Sequence, residues 1–231
     1  MFFVLFATIA ACDYASKSQS NEENDVASCT FPHLHNGTYV EIGALDGVRF
    51  SNTWRLHKCF GWNGLLVEGN PRNYERLIVN RNTGDKCVHS AVCAPPQTKL
   101  QFTIASGPVS GALNEMSDSF KSQWHPSKDE PTITVACRPM SKIMAMVGIT
   151  HVDFFSLDVE GAELTVLETI DFIRTTINVF LVELDRHDPV KNWKIIRHMH
   201  NLGYTKCTCA HSRRNGLFVH ARILSQTKCS A

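Results

Sequence analysis

The sequence predicts an α/β protein built on a doubly wound, mostly parallel sheet with an antiparallel strand near the C-terminus. Three observations predict it. Short apolar, β-branched runs alternate with helical stretches from residue 38 to residue 202. Runs such as VDFFSL and VFLVEL are almost continuously apolar, as strands covered on both faces are. The last two runs flank Arg213–Asn215 and read as a hairpin.

The elements follow in order. Residues 38–42 (TYVEI) read as a strand, and 52–58 as a short helix with Ser51 as its cap. GLLVE (64–68) is a second strand. Asn70-Pro71 opens a helix through Asn80, with Tyr74, Leu77 and Ile78 at helical spacing. Residues 88–93 are a third strand. Residues 100–137 break the alternation: two strand-like runs, LQFTI and TITVAC, flank a stretch rich in Ser, Gly and Pro. A segment that long reads as a substrate lid or as a surface excursion. Strand 152–157 precedes a helix over 162–170, and strand 179–184 precedes a helix from Pro189 to about Leu202. Runs 204–209 and 216–222 close the chain.

Composition excludes several classes. The 231 residues are 43% hydrophobic and 19% charged, which rules out wholesale disorder. Lys+Arg 23 against Asp+Glu 22 gives a net charge of +1, which argues against a nucleic-acid partner. No apolar run reaches the roughly 18 residues of a membrane span.

Met1–Ala11 is apolar apart from Thr8, with small residues at Ala10, Ala11 and Ala15. Residues 1–15 read as a signal peptide or a short membrane anchor, so the N-terminus could associate with a membrane. A first strand and a lipoprotein cleavage site ending at Cys12 are the alternatives. Residues 16–35 read as a polar linker, 36–224 as one domain and 225–231 as a tail. Setting Cys12 aside, eight of the nine cysteines remain, an even number suited to disulfides in an oxidising compartment. Asn36-Gly37-Thr38 is a glycosylation sequon. Free thiols in a cytosolic protein are the alternative. A zinc site on Cys207, Cys209 and His211 lacks a second close ligand pair.

Acids mark the site. Four strands end beside them: Glu41 with Asp46, Glu68, Asp158 with Glu160 and Glu163, and Glu183 with Asp185. Ligands of doubly wound sheets sit outside the carboxyl ends of the strands, so these acids describe an acidic crevice. Gly43 and Gly47 permit a tight turn after the first strand. That loop lacks the G-x-G-x-x-G spacing of a dinucleotide site, and Asp46 would repel a phosphate. S-Adenosylmethionine fits better. It has no phosphate, its ammonium and sulfonium suit carboxylates, and its ribose diol can donate to Glu68.

Three blocks, VEIGALDGVRFSN, GLLVEGNPRNYERL and VDFFSLDVEGAELTVLETI, resemble the FkbM-type methyltransferases, and FLVELD and GLFV continue the likeness. The resemblance covers about Thr38 to Arg222 and is closest to the eukaryotic branch with signal-bearing or membrane-anchored members. It implies the seven-stranded sheet of class I methyltransferases, S-adenosylmethionine as cofactor and, for much of the family, O-methylation. It implies that Glu41, Gly43, Asp46 and Gly47 hold the methionine part, that Glu68 binds the ribose, that Ser90 and Ala91 flank the adenine, and that Asp158 lies beside the reacting methyl. Many relatives have Asp where this chain has Glu41. Similar eukaryotic relatives carry cysteines at positions 93 and 137, which implies a bond closing the base of the 100–137 segment.

Asp158 is the first candidate for general base, with Glu183 and His187 at the neighbouring strand end as further catalytic candidates. For Asp158, Glu160 and Glu163 the structural alternative is to cap the following helix. Asp158, Glu183 and His187 are also a ligand set that a divalent metal could use, although the reading adopted has no metal. The acceptor expected is a hydroxyl on a glycan or small molecule, in the secretory pathway or, alternatively, the cytoplasm. A non-catalytic secretory-pathway protein of the same fold, acting in protein interaction or trafficking, is the second hypothesis. A nucleotide-sugar or dinucleotide enzyme is the third.

Overall fold

The computed structural model describes residues 14–31, 35–105, 107–127, 129, 131–209 and 214–230. The apolar leader over residues 1–13, His211 and the tip of the expected C-terminal hairpin (210–213) lie outside the described residues.

A seven-stranded sheet carries the fold. Its strands are β1 (Thr38–Ile42), β2 (Asn63–Glu68), β3 (Lys86–His89), β7 (His151–Leu157), β8 (Thr176–Glu183), β9 (Tyr204–Lys206) and β10 (Asn215–His220). Their order is β3-β2-β1-β7-β8-β10-β9. β1, β2, β3, β7 and β8 pair in parallel, and β10 runs antiparallel to both β8 and β9. This is the doubly wound sheet that the alternating runs predict. The chain winds outward from β1 to β3, then returns to place β7 on the other side of β1. The strand order reverses there, which opens a crevice at the carboxyl ends of β1 and β7.

Strand alternation separates two cores. On one face Val40, Leu65, Val67, Phe155, Phe180 and Val182 pack against helices α5 (Met140–Val147), α6 (Glu163–Glu168) and α7 (Pro189–Asn201). On the other face Tyr39, Leu66, Phe154, Leu181 and Leu217 pack against α1 (Glu22–Cys29), α2 (Trp54–Phe60) and α3 (Pro71–Asn80). Asn70 caps α3 by accepting from the Arg72 and Asn73 N–H groups, and Pro71 follows in the first turn.

Several expectations are corrected. The polar stretch 16–35 contains a packed helix, α1, and is no simple linker. Its acids have tertiary partners: Glu23 accepts from the Arg55 and Lys17 N–H groups and the Ser16 hydroxyl, and Glu22 accepts from the Asn215 amide. Val26 and Cys29 are buried beneath them. Ser51 does not cap α2; its hydroxyl donates to Glu41. The single strand expected over 88–93 divides at Ser90, and Ala91–Val92 (β4) joins a second sheet.

That second sheet is the 100–137 excursion. β5 (Lys99–Thr103) and β6 (Thr132–Arg138) pair antiparallel, and β4 lies on the other side of β6. Helix α4 (Asp118–Trp124) lies between β5 and β6, and the alternation of runs predicts neither it nor α5. The Cys93–Cys137 disulfide that the resemblance implies closes its base, with an S–S distance of 2.07 Å. Cys29–Cys209 and Cys207–Cys229 are also paired. Both cysteines of the weighed zinc motif are thus in separate disulfides. Cys87 is a free thiol, so the eight cysteines do not all pair. Burial pushes its pKa up to about 11, which makes it a poor nucleophile.

Candidate active site

A cleft enclosing about 880 Å³ of space, open solvent at its mouth included, sits at the reversal point between β1 and β7. Glu41 to Leu45 form its floor. Glu68 at the end of β2, Ser90 and Ala91 at the start of β4, and Asp158 to Glu160 after β7 form its walls. The excursion closes one side with Leu100, Phe102 and residues from Gly107 to Ala112. Asn70 ties that side down, its amide donating to the Thr103 and Ala105 carbonyls and the Ser110 hydroxyl.

Gly43 is required where it stands. Its φ is +80°, and a Cβ there would lie 1.7 Å from the Asp158 carbonyl oxygen. The absent side chain lets the β1 loop and the β7 end touch. Gly47 has another task. A Cβ there would strike Leu77 and Arg81, and its carbonyl accepts from Arg81 Nε at 2.6 Å.

The structure therefore divides the residues expected to bind the cofactor. Glu41, Gly43, Glu68, Ser90, Ala91 and Asp158 line the cleft; Asp46 and Gly47 do not. Asp46 Oδ1 accepts from the Val48 and Arg49 N–H groups at 2.9 and 2.7 Å, which turns its carboxylate into the loop. Glu41 lines the cleft with its oxygens engaged elsewhere. Ser51 Oγ, Thr53 Oγ1 and the Asn52 N–H donate to it at 2.9, 2.5 and 2.7 Å. Arg81 Nη2 lies 3.8 Å away. Burial raises the Glu41 pKa, and Arg81 is the largest influence opposing it.

Arg81 went unnoticed in the sequence because nothing local marks it. Only 1% exposed, it donates to Tyr39 Oη, Asp85 Oδ2, Ser51 Oγ and Thr53 Oγ1 at 2.8 to 3.2 Å, besides the Gly47 carbonyl. One guanidinium thereby joins α3 to the β1 loop and the segment before α2. Arg49, Phe50, Asn52 and Asn73 also line the cleft without having been anticipated.

Beyond β7 the acids converge. One carboxylate oxygen from each of Asp158, Glu160 and Glu183 lies within 4.8 Å of the others. Asp158 and Glu183 are hydrogen-bonded, a contact that needs one shared proton. Burial, together with Glu163, raises Asp158 to about 6. Burial, with Asp158 and Glu163, raises Glu160 to about 9, and burial with Asp158 and Glu160 raises Glu183 to about 12. Lys191 faces the cluster, paired with Glu163 and 3.5 Å from Asp185. Glu163 accepts from the Val159 and Gly161 N–H groups, so it ties down the turn before α6 and does not cap that helix as its structural alternative expects. His187 is elsewhere: its Nδ1 bonds Ser119 Oγ at 2.9 Å and its ring packs against Phe120. Glu160 takes the place His187 was expected to hold in the weighed metal ligand set.

The cluster sets a pH dependence. Asp158, Glu160 and Glu183 all have folded pKa values above the roughly 4 of an unfolded carboxyl. The folded state therefore holds protons that the unfolded state releases. That stability is full below about pH 4 and is lost as pH rises through about 6 and then 9. Melting temperature is expected to fall between pH 5 and 9. Glu183→Gln should flatten the slope and gain a few degrees at pH 8. An unchanged slope in thermal melts would show that the three acids do not titrate together.

A family model described as the methyltransferase FkbM domain matches residues 41–206. The chain belongs to the FkbM methyltransferase family. No curated protein matches it. Among solved structures, this FkbM-type chain is similar to a methyltransferase FkbM from Methylobacillus flagellatus KT, with 10% identity and a TM-score of 0.47, over 84% of this chain and 47% of that one. It thus spans about half the length of that relative. It is similar to fibrillarin from Aeropyrum pernix, solved with natively bound S-adenosyl-L-methionine, with 10% identity and a TM-score of 0.49, over 87% and 74% of the two chains. It is also similar to a precorrin-6y C5,15-methyltransferase from Geobacter metallireducens GS-15, with 12% identity and a TM-score of 0.44, over 91% and 92%.

Proposed function

We propose that this chain is an S-adenosylmethionine-dependent methyltransferase acting on a hydroxyl of a glycan or small molecule in the secretory pathway. One observation carries the cofactor reading. The buried side-chain atoms without partners in and beside the cleft include three acceptors: Asn52 Oδ1, Asn73 Oδ1 and Glu183 Oε2. Such a set suits a ligand rich in donors, and the ammonium and ribose hydroxyls of S-adenosylmethionine are donors. The carboxylate of Asp158, ionised above about pH 6, suits its positive charge and disfavours a phosphate. Arg49, also in the wall, suits its carboxylate.

S-Adenosylmethionine supplies an electrophilic methyl group on a sulfonium. Glu68 and the β1 loop orient the nucleoside and the methionine part. Asp158 takes the proton of the attacking hydroxyl while Glu183 keeps the proton they share. Holding the oxygen in line with the methyl carbon does most of the work, and the base adds to it. The excursion covers the cleft and limits access of water. The three disulfides found among the described residues and the apolar leader favour an oxidising compartment. No described helix is long and apolar enough to cross a membrane.

Calorimetry on the purified protein tests the reading. S-Adenosylmethionine and S-adenosylhomocysteine should bind with micromolar affinity, and NADH and UDP-glucose should not. A methyl-transfer screen of glycans and small alcohols then identifies the acceptor. Absence of S-adenosylmethionine binding would remove the enzyme reading and favour the non-catalytic one.

A further inference from the structure

The first turn of α3 contains a polar side chain with a task unfilled by the protein itself. Asn73 is 2% exposed and lines the cleft next to Glu68. Its amide nitrogen reaches the Gly107 carbonyl at 3.4 Å. Its Oδ1 is buried and has no donor. A buried acceptor left unpaired costs about 1–3 kcal/mol, so such an atom beside a cleft points to a ligand that donates to it.

Glu68 explains why a second acceptor is needed. Its Oε2 accepts from the Leu45 N–H at 2.8 Å and its Oε1 from the Asn70 N–H at 2.7 Å. The Gly69 N–H and the Asn73 side chain also bond it. Each of its oxygens is already engaged by a backbone N–H, and burial raises its pKa to about 7. Glu68 thus has little capacity for both hydroxyls of a ribose diol. Asn73 Oδ1, on the adjoining turn, is an acceptor with capacity to spare.

We infer that Asn73 is a nucleoside-binding residue whose Oδ1 accepts one ribose hydroxyl of the cofactor, with Glu68 taking the other. The inference rests on the cofactor reading above. Asn70 holds Asn73 in place from both sides, because it caps α3 and anchors the end of β5 and the loop after it, where Gly107 lies. The pair of acceptors selects a nucleoside with a free vicinal diol over its deoxy forms.

The test is a binding cycle by calorimetry with S-adenosylhomocysteine and its 2′-deoxy and 3′-deoxy analogues. Wild-type protein should discriminate against each analogue about tenfold. Asn73→Leu, close in size and without polar atoms, should bind S-adenosylhomocysteine about tenfold more weakly and lose its discrimination against one of the two analogues. Asn73→Asp keeps an acceptor and should retain that discrimination; it also serves if the leucine variant does not fold. A general loosening of the site would weaken all three ligands equally. Equal weakening, or a leucine variant that still rejects both analogues, overturns the role of Asn73 and leaves the cofactor reading standing. Wild-type protein that binds none of the three overturns both.

Discussion

Asp158→Asn is expected to lower methyl transfer by about 10²–10⁴-fold while S-adenosylhomocysteine binding stays within about threefold of wild type. The size follows from the role of a general base. The direction follows from geometry, since Asp158 lines the cleft directly after β7 and shares a proton with Glu183. Its pKa of about 6, raised chiefly by burial and by Glu163, predicts the pH profile as well. Turnover should climb as pH rises through about 6 and then level off. Single-turnover rates against pH check this. Retained turnover in the asparagine variant, or a rate flat from pH 5 to 8, would show that Asp158 takes no proton. Glu160 would then be the next carboxylate to replace.

Arg81→Met is expected to be the most destabilising single change outside the apolar cores. Its guanidinium is fully buried and joins Glu41, Asp85, Tyr39, Ser51, Thr53 and the Gly47 carbonyl. Removing one partner of a buried ion network leaves charges without compensation, at a cost of about 3–5 kcal/mol. A protein of this size should lose on the order of 10 °C in melting temperature. Arg81→Lys should rescue little, because an ammonium cannot reach so many acceptors in one plane. Glu41→Gln in the methionine background should recover part of the loss by removing one stranded charge. Urea midpoints for the three variants decide it. A methionine variant within 1 kcal/mol of wild type would mean that the network contributes little net stability. The same variant should also weaken cofactor binding, since Arg81 holds the segment from Ser51 to Thr53 against the cleft.

The two residues illustrate what can be read along a chain and what cannot. Asp158 follows an apolar strand and precedes a glycine and a helix, so its place at a carboxyl-end rim follows from local pattern. Glu68 is legible for the same reason. Arg81 follows the last turn of a helix and looks like a solvated surface charge; its acceptors come from residues 39, 41, 47, 51, 53 and 85, and no local pattern joins them. Asp46 errs in the opposite sense. An acid in a glycine loop after the first strand reads as a ligand, yet the turn it begins takes up its carboxylate. The stretch around α1 misled because its acids suggest solvent, while their hydrogen-bonding partners are at residues 16, 17, 55 and 215.

The sequence by itself determined the strands of the parallel sheet, the helices α2, α3, α6 and α7 and the line of acids at the carboxyl ends of the strands. These depend on spacing within a few residues, which burial and backbone geometry enforce locally. Only the tertiary structure decided which acids share a cleft and which are tied into turns or ion networks. It also decided that the excursion forms a wall and that Asn73 lines the cleft beside Glu68 with an unpaired acceptor. Those outcomes depend on distances between residues far apart in the chain, and such distances are set only when the strand order and the two packed layers are complete.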